Sequence, residues 1–224
     1  MLLFDIDGTL VSTGGAGRRA MTGAFADVHG RPDACAHFSF AGMTDRAIAR
    51  EGLRALELEA DARAIDAVLE AYLTRLDREL QAAESYRVLP AVVELVSFLR
   101  TVARVAVGLG TGNVRRGAYA KLARGSLDGL FPFGGFGCDA EDRIELLRAG
   151  AQRGAEALGV EIEACRVVVI GDTPRDVAAA KGLGVECVGV GTGGVAPETL
   201  VALGARRAFA TLGDADVRDV LLAG

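Results

Sequence analysis

The sequence predicts an α/β protein, a doubly wound parallel sheet with an all-helical segment inserted near its start. Three observations predict it. From residue 89 onward, short β-branched or apolar runs alternate with helical stretches, the pattern of βα units around a parallel sheet. Three of the apolar runs end in short polar groups, Asp5-Ile-Asp7, Thr111-Gly-Asn113 and Asp172-Thr-Pro-Arg-Asp176. Residues from about 15 to 88 read as helix with no convincing strand, a shift that marks an insert. The expected organisation is therefore a core of residues 1–14 and 89–224 interrupted by a helical segment, 15–88.

The first element is the run Leu2-Leu3-Phe4, short and apolar like a buried strand. Val11-Ser-Thr-Gly-Gly-Ala-Gly17 follows as a flexible link; it lacks the spacing of a phosphate-binding glycine loop and reads as a hinge about Gly14-Gly15. A helix with Met21, Ala24, Phe25 and Val28 on one face runs to His29-Gly30-Arg31-Pro32, where Gly and Pro stop it. Thr44-Asp45-Arg46 opens a second helix with Ile48, Leu53 and Leu56 as its stripe. The clearest helix spans 61–80, where Ile65, Val68, Leu69, Tyr72, Leu73, Leu76 and Leu80 keep the helical period.

Beyond the insert, Pro90 suits the first turn of a helix carrying Val92, Leu95, Val96 and Leu99. A strand over 105–109 leads into Gly110-Thr111-Gly112-Asn113 and a helix to about 124. A short strand is expected within 131–138, a helix over 142–158, and a strand over 167–170 ending at Gly171-Asp172. A helix over 175–183, a strand over 186–190, a Gly-rich loop closing the sheet edge and a strand near 208–209 complete the chain.

Composition sets the function classes. The 224 residues are 50% apolar and 25% charged, with a net charge of −5, an ordinary globular balance. With no Lys/Arg block, nucleic acid is not an expected partner. No run approaches the ~20 apolar residues of a membrane span, and no signal-peptide pattern opens the chain, so a soluble cytoplasmic protein is expected. Cys35, Cys138, Cys165 and Cys187 show no metal or redox spacing and are read as small buried hydrophobes. His29 and His37 lie away from every motif and read as structural.

Ligands of open α/β sheets bind beyond the carboxyl ends of the strands, so the three polar groups are expected to share one site. Alternate strand residues face the same way, which points Asp5 and Asp7 into one cleft, although Asp-Gly is also a common turn dipeptide. Two such carboxylates resist joint ionisation, so either a cation sits between them or one keeps a proton. The division of labour fits phosphoryl transfer. Asp5 would be the nucleophile and Asp7 the general acid and base. Thr111 and the backbone N–H groups of Gly112 and Asn113 would hold phosphoryl oxygens at a helix start. Asp172 and Asp176 would add hard oxygen ligands for Mg²⁺, with a helix N-cap as the structural alternative for each aspartate, most directly for Asp172 before Pro174.

D-x-D-G-T-L at residues 5–10, Thr111 after an apolar strand, and G-D-x-x-x-D at 171–176 together resemble the first, second and fourth motifs of the haloacid dehalogenase-like hydrolases. The resemblance runs in order along the whole chain, with the helical insert where this family places a cap. It implies a Rossmann-like core with Mg²⁺ held by Asp5, the backbone carbonyl of Asp7 and Asp172, while Asp176 orients metal-bound water. The third-motif Lys-Pro run is missing. Arg143, opening the helix that precedes the fourth motif, is the chosen replacement, and Lys121, one helix earlier, the alternate; Lys181 is expected to be exposed. Gly42-Met-Thr44-Asp45-Arg46 resembles the cap segment that faces the site in phosphoglycolate phosphatase-like and phosphoglucomutase-like members. Arg46 is accordingly a candidate grip for a distal carboxylate or second phosphate, a surface salt bridge being the alternative. The resemblance implies a phosphatase acting on a small phosphorylated metabolite through an aspartyl-phosphate. A phosphomutase and a low-turnover phospho-accepting module are the alternatives, and the oligomeric state stays open.

Overall fold

The computed structural model describes residues 1–223. At its centre lies strand β1 (Leu2–Phe4), all three residues buried. It is flanked on one side by β4 (Val107–Gly110) and β5 (Gly134–Gly135), and on the other by β6 (Val168–Gly171), β7 (Glu186–Val190) and β8 (Arg207–Phe209). All five pairings are parallel and the order is β5-β4-β1-β6-β7-β8. A central strand with crossovers running to both sides is the topological switch point of a doubly wound sheet.

The pleat sends successive residues to opposite faces, and each face has its own core. Leu2 and Phe4 join Leu109, Ile170 and Val188 beneath α4 (Val92–Leu99), α5 (Arg115–Ala123) and α9 (Val217–Leu222). Leu3 joins Val169 and Cys187 beneath α6 (Arg143–Leu158), α7 (Pro174–Leu183) and α8 (Pro197–Leu203).

Helices α1 (Ala16–His29), α2 (Asp45–Ala55) and α3 (Ala62–Ala82) form a separate layer with a third apolar cluster. Asp61 caps α3 by accepting from Ala64 N, and the seven residues of its expected stripe are its buried residues. On α1 the stripe is shorter than expected. Met21, Ala24 and Phe25 are buried, but Val28 is 38% exposed at the solvent end of the helix. Leu56 likewise falls just past α2, as its C-cap.

The structure corrects several local expectations. The link after β1 is partly ordered: β2 (Val11–Ser12) pairs antiparallel with β3 (Arg87–Val88), so a strand does lie within 15–88. The two chain crossings between sheet and helical layer thus form one ribbon, and Gly14 and Gly15 follow it with positive φ. Helix α4 starts after Pro90 because Ala91 adopts a left-handed conformation there. Two short C-terminal helices, α8 and α9, were not legible: they bury one residue (Leu200) and two residues (Val217, Leu221), too few to show a period. Cys35 and Cys187 are buried, but Cys138 is exposed and Cys165 half-buried. His37 is exposed and Lys181 is exposed. Among the described residues no helix is long and apolar enough to cross a membrane.

These packing differences are measurable. Leu76→Ala, at a fully buried α3 position, should lower unfolding free energy by about 2–5 kcal/mol in urea titrations. Val28→Ala should stay within about 0.5 kcal/mol of the unmodified protein.

Candidate active site

Register assembles the site. Phe4 pairs with Leu109 on one side and Ile170 on the other, so Asp5, Gly110-Thr111 and Gly171-Asp172 emerge side by side at one sheet edge. The Asp5 N–H continues the ladder to Ile170 O at 2.8 Å. The chain then turns back, with Gly8 N bonded to Val11 O and Leu10 N to Ile6 O, both at 2.9 Å. This leaves Asp5 buried and Asp7 at the lip, its side chain 42% exposed. Both line a cavity of about 290 Å³ between the sheet edge and the helical layer.

At its floor, carboxylate oxygens of Asp5, Asp172 and Asp176 lie within 4.8 Å of one another, all three residues buried. Asp172 Oδ1 accepts from Thr9 Oγ1 at 2.9 Å. Its other oxygen is crowded by backbone: a Cβ at Gly8 or Gly193 would overlap Oδ2, so both positions require glycine. Burial raises the Asp5 carboxyl above its ordinary range, against the pull of Arg143. Burial, and then the neighbouring Asp5, raise Asp172. The cluster is short of positive charge, and its all-oxygen donor set is what a hard divalent cation takes.

Asp176 is fully buried and has a second task. Thr173, not Asp172, is the N-cap of α7: the Thr173 hydroxyl accepts from Asp176 N while Asp176 Oδ2 accepts from Thr173 N at 2.9 Å, a reciprocal capping box. Asp172 is thereby left free of capping.

Both candidate cations reach the site, on different carboxylates. Arg143 is the first residue of α6, capped by Asp142. Its side chain is 9% exposed, with Nη2 3.3 Å from Asp5 Oδ2 and hydrogen-bonded to Asp176 Oδ1. Its Nε is buried without a partner. Lys121, on α5, donates to Asp7 Oδ2 at 2.7 Å and to Asn113 Oδ1. Burial opposes its charge, but Asp7, Tyr72 and Asp45 outweigh burial and raise its pKa.

The segment between β4 and α5 is more interlocked than a simple helix start. Helix α5 begins at Arg115, two residues past Asn113. Asn113 N is 3.3 Å from Thr111 Oγ1, which also accepts from Asn113 Nδ2 at 2.8 Å, so this N–H is not a free donor as expected. Asn113 Nδ2 reaches Asp7 Oδ2 as well, at 2.9 Å. Gly112 and Asn113 line the cavity, and Thr111 stands behind them.

The helical layer grips the same segment. Asp45 N donates to Gly112 O at 2.8 Å, and Asp45 Oδ2 accepts from Val114 N at 2.8 Å. Burial pushes the Asp45 carboxyl up to about 6 despite Lys121. Arg50 and Glu141 tie the layers together at 2.9 Å.

Arg46 does not face the cavity. It lies on α2 with its guanidinium paired to Asp66 of α3 at 2.7 Å, the surface alternative. The arginine that lines the cavity from the helical layer is Arg18 on α1. Carbonyls of Cys35 and Phe38 each accept from it at 3.1 Å, and it stacks 3.9 Å over Phe40. Among the described residues, Arg18 is the cavity-lining cation without a carboxylate partner. No periodicity or spacing signals it. The loop after β7 was legible in principle: β7 runs parallel to β6, so it ends at the same edge. There Thr192 Oγ1 donates to Gly8 O at 2.6 Å and Gly193 backs Asp172. His29 and His37 are not among the cavity residues.

Comparison with known proteins places this architecture. No curated protein matches the sequence. A hydrolase from Pseudomonas syringae superposes with a TM-score of 0.66 at 22% identity, covering 98% of this chain and 95% of that one. A predicted phosphoglycolate phosphatase from Haemophilus somnus gives 0.67 at 16% identity, with 99% and 96% covered. CbbY from Rhodobacter sphaeroides, in complex with phosphate, gives 0.70 at 20% identity, with 97% and 98% covered. The family model for haloacid dehalogenase-like hydrolases matches residues 1–184. With the fold, the ordered motifs and this match in agreement, the chain belongs to the haloacid dehalogenase-like hydrolases.

Proposed function

We propose that this hydrolase is a Mg²⁺-dependent phosphatase of small phosphorylated metabolites, working through an aspartyl-phosphate on Asp5. One observation carries the reading: a buried carboxylate, Asp5, belongs to a cluster of hard oxygen donors and pairs with a buried arginine, with another, half-exposed carboxylate, Asp7, at the lip of the same cavity. One structural neighbour is a predicted phosphoglycolate phosphatase and another binds phosphate, which supports the same reading.

In this reading Asp5 attacks phosphorus in line with the ester oxygen. The P–O bond to the alcohol breaks, and Asp7 gives its proton to the departing oxygen. Asp7 then takes a proton from water as that water attacks the aspartyl-phosphate, and breaking the P–O bond to Asp5 restores its carboxylate. Gly112, which lines the cavity, offers its backbone N–H to phosphoryl oxygens on one side while Thr111 and Asn113 brace that segment through their mutual hydrogen bonds. Arg143 holds them on the other, where its unpartnered Nε offers a donor. Asp5, the backbone carbonyl of Asp7 and Asp172 would hold Mg²⁺, with Asp176 orienting its water, and the ion would supply positive charge to offset the carboxylates and phosphate. A cavity of about 290 Å³ suits a small metabolite. We assign the substrate-facing cation of the helical layer to Arg18 rather than Arg46, and the helical layer itself to a cap that closes over the substrate.

With a panel of phosphorylated metabolites, steady-state phosphate release should require Mg²⁺, fall to background in EDTA and return on Mg²⁺ addition. Asp5→Asn should abolish it while circular dichroism stays unchanged; full activity in that variant would remove Asp5 as nucleophile. Arg18→Ala should raise KM about tenfold or more for a substrate with a second anionic group while leaving kcat near its original value, the signature of lost ground-state binding. Arg46→Ala should change neither.

A further inference from the structure

Lys121 is a buried lysine ten residues beyond Thr111, outside every motif, and its side chain is only 5% exposed. A lysine so placed must be paired, and its partners are specific. Its Nζ donates to Asp7 Oδ2 at 2.7 Å and to Asn113 Oδ1. Asn113 Nδ2 donates to the same Asp7 oxygen at 2.9 Å and to Thr111 Oγ1. Asp7 Oδ2 therefore accepts two hydrogen bonds, one of them from an ammonium. An oxygen so engaged does not carry the proton, which leaves Oδ1 as the exchanging atom. The rest of the Nζ environment comes from the helical layer: Tyr72 and Asp45 act on it from α3 and α2, and Gly17 of α1 lies against it, its missing Cβ 3.5 Å from Nζ.

We propose that Lys121 is a positioning residue for Asp7. Together with Asn113 it pins Oδ2, so that Oδ1 faces the ester oxygen of the substrate, and the pin is complete when the helical layer is seated. This rests on Asp7 being the general acid of the proposed phosphatase. It assigns Lys121 to the proton-transfer group, apart from the nucleophile side where Arg143 sits.

Leaving-group dependence tests it. Phenyl phosphate requires a proton on its departing oxygen, whereas 2,4-dinitrophenyl phosphate expels a stable phenolate without one. The kcat/KM value reports steps through loss of the leaving group, and the ratio between two substrates on one sample is independent of the fraction folded. Asp7→Asn should lose about 100-fold or more on phenyl phosphate and little on the dinitrophenyl ester, the scale of a general acid. Lys121→Met should show the same selectivity, losing about tenfold more on phenyl phosphate than on the dinitrophenyl ester. Lys121→Gln, which keeps length and a donor, should show a smaller selective loss. Equal losses on both esters in both Lys121 variants, beside a selective Asp7→Asn, would overturn the positioning role and leave the general acid standing. Absence of selectivity in Asp7→Asn would overturn the general acid and this inference together.

Discussion

Parallel register with crowded negative charge at one edge is the constraint on which the rest of the structure depends. Because Phe4 is level with both Leu109 and Ile170, the chain after β1 must emerge beside the ends of β4 and β6. Those ends carry Asp5, Thr111 and Asp172, and α7 adds Asp176. Three buried carboxylates within 4.8 Å repel one another and have lost most of their hydration, a combination that each surrounding contact partly offsets. Arg143 supplies a full charge, Thr9 a hydroxyl to Asp172, and Thr173 two donors to Asp176. The residual deficit of positive charge suits the cluster to a divalent cation.

The two cations divide the site. Arg143 enters from the α6 side and lies against Asp5 and Asp176; Lys121 enters from the α5 side and lies against Asp7. A planar guanidinium with several donors suits two carboxylates at once, and a compact ammonium suits one carboxylate oxygen plus an amide. The helical layer meets the Lys121 side through Asp45, whose backbone and side chain engage Gly112 and Val114. Its seating is thus coupled by contact to the segment that carries Asn113. The antiparallel ribbon of β2 and β3 confines both chain crossings to one place, with Gly14 and Gly15 beside it at positive φ.

Much of this was legible from residue patterns. The α3 stripe is legible residue for residue because a 21-residue amphipathic helix repeats its signal turn after turn, whereas α8 and α9 bury too little to have one. The polar strand ends were legible because a charged group after an apolar run has few structural uses. Arg46 was misdirected by its place in a motif-like segment: on α2 it points to Asp66, while Arg18 is swung over the cavity by two carbonyls and an aromatic ring. A helix N-cap is the structural alternative for each aspartate in the sequence, and only the Thr173 geometry shows that Thr173 is the cap of α7 while Asp176 closes the capping box.

The sequence by itself determined the longer helices, the strands of the central sheet, the three polar strand ends and the acidic residues they carry, since hydrophobic period and local turn chemistry act over a few neighbours. Tertiary structure alone decided that Arg143 serves Asp5 while Lys121 serves Asp7, that Thr9 reaches Asp172, and that Arg18 faces the cavity. These pairings join residues up to 163 positions apart. Coulomb energy and hydrogen bonding depend on separations of a few ångströms, and those are set by how sheet, helices and inserted layer pack, not by spacing along the chain.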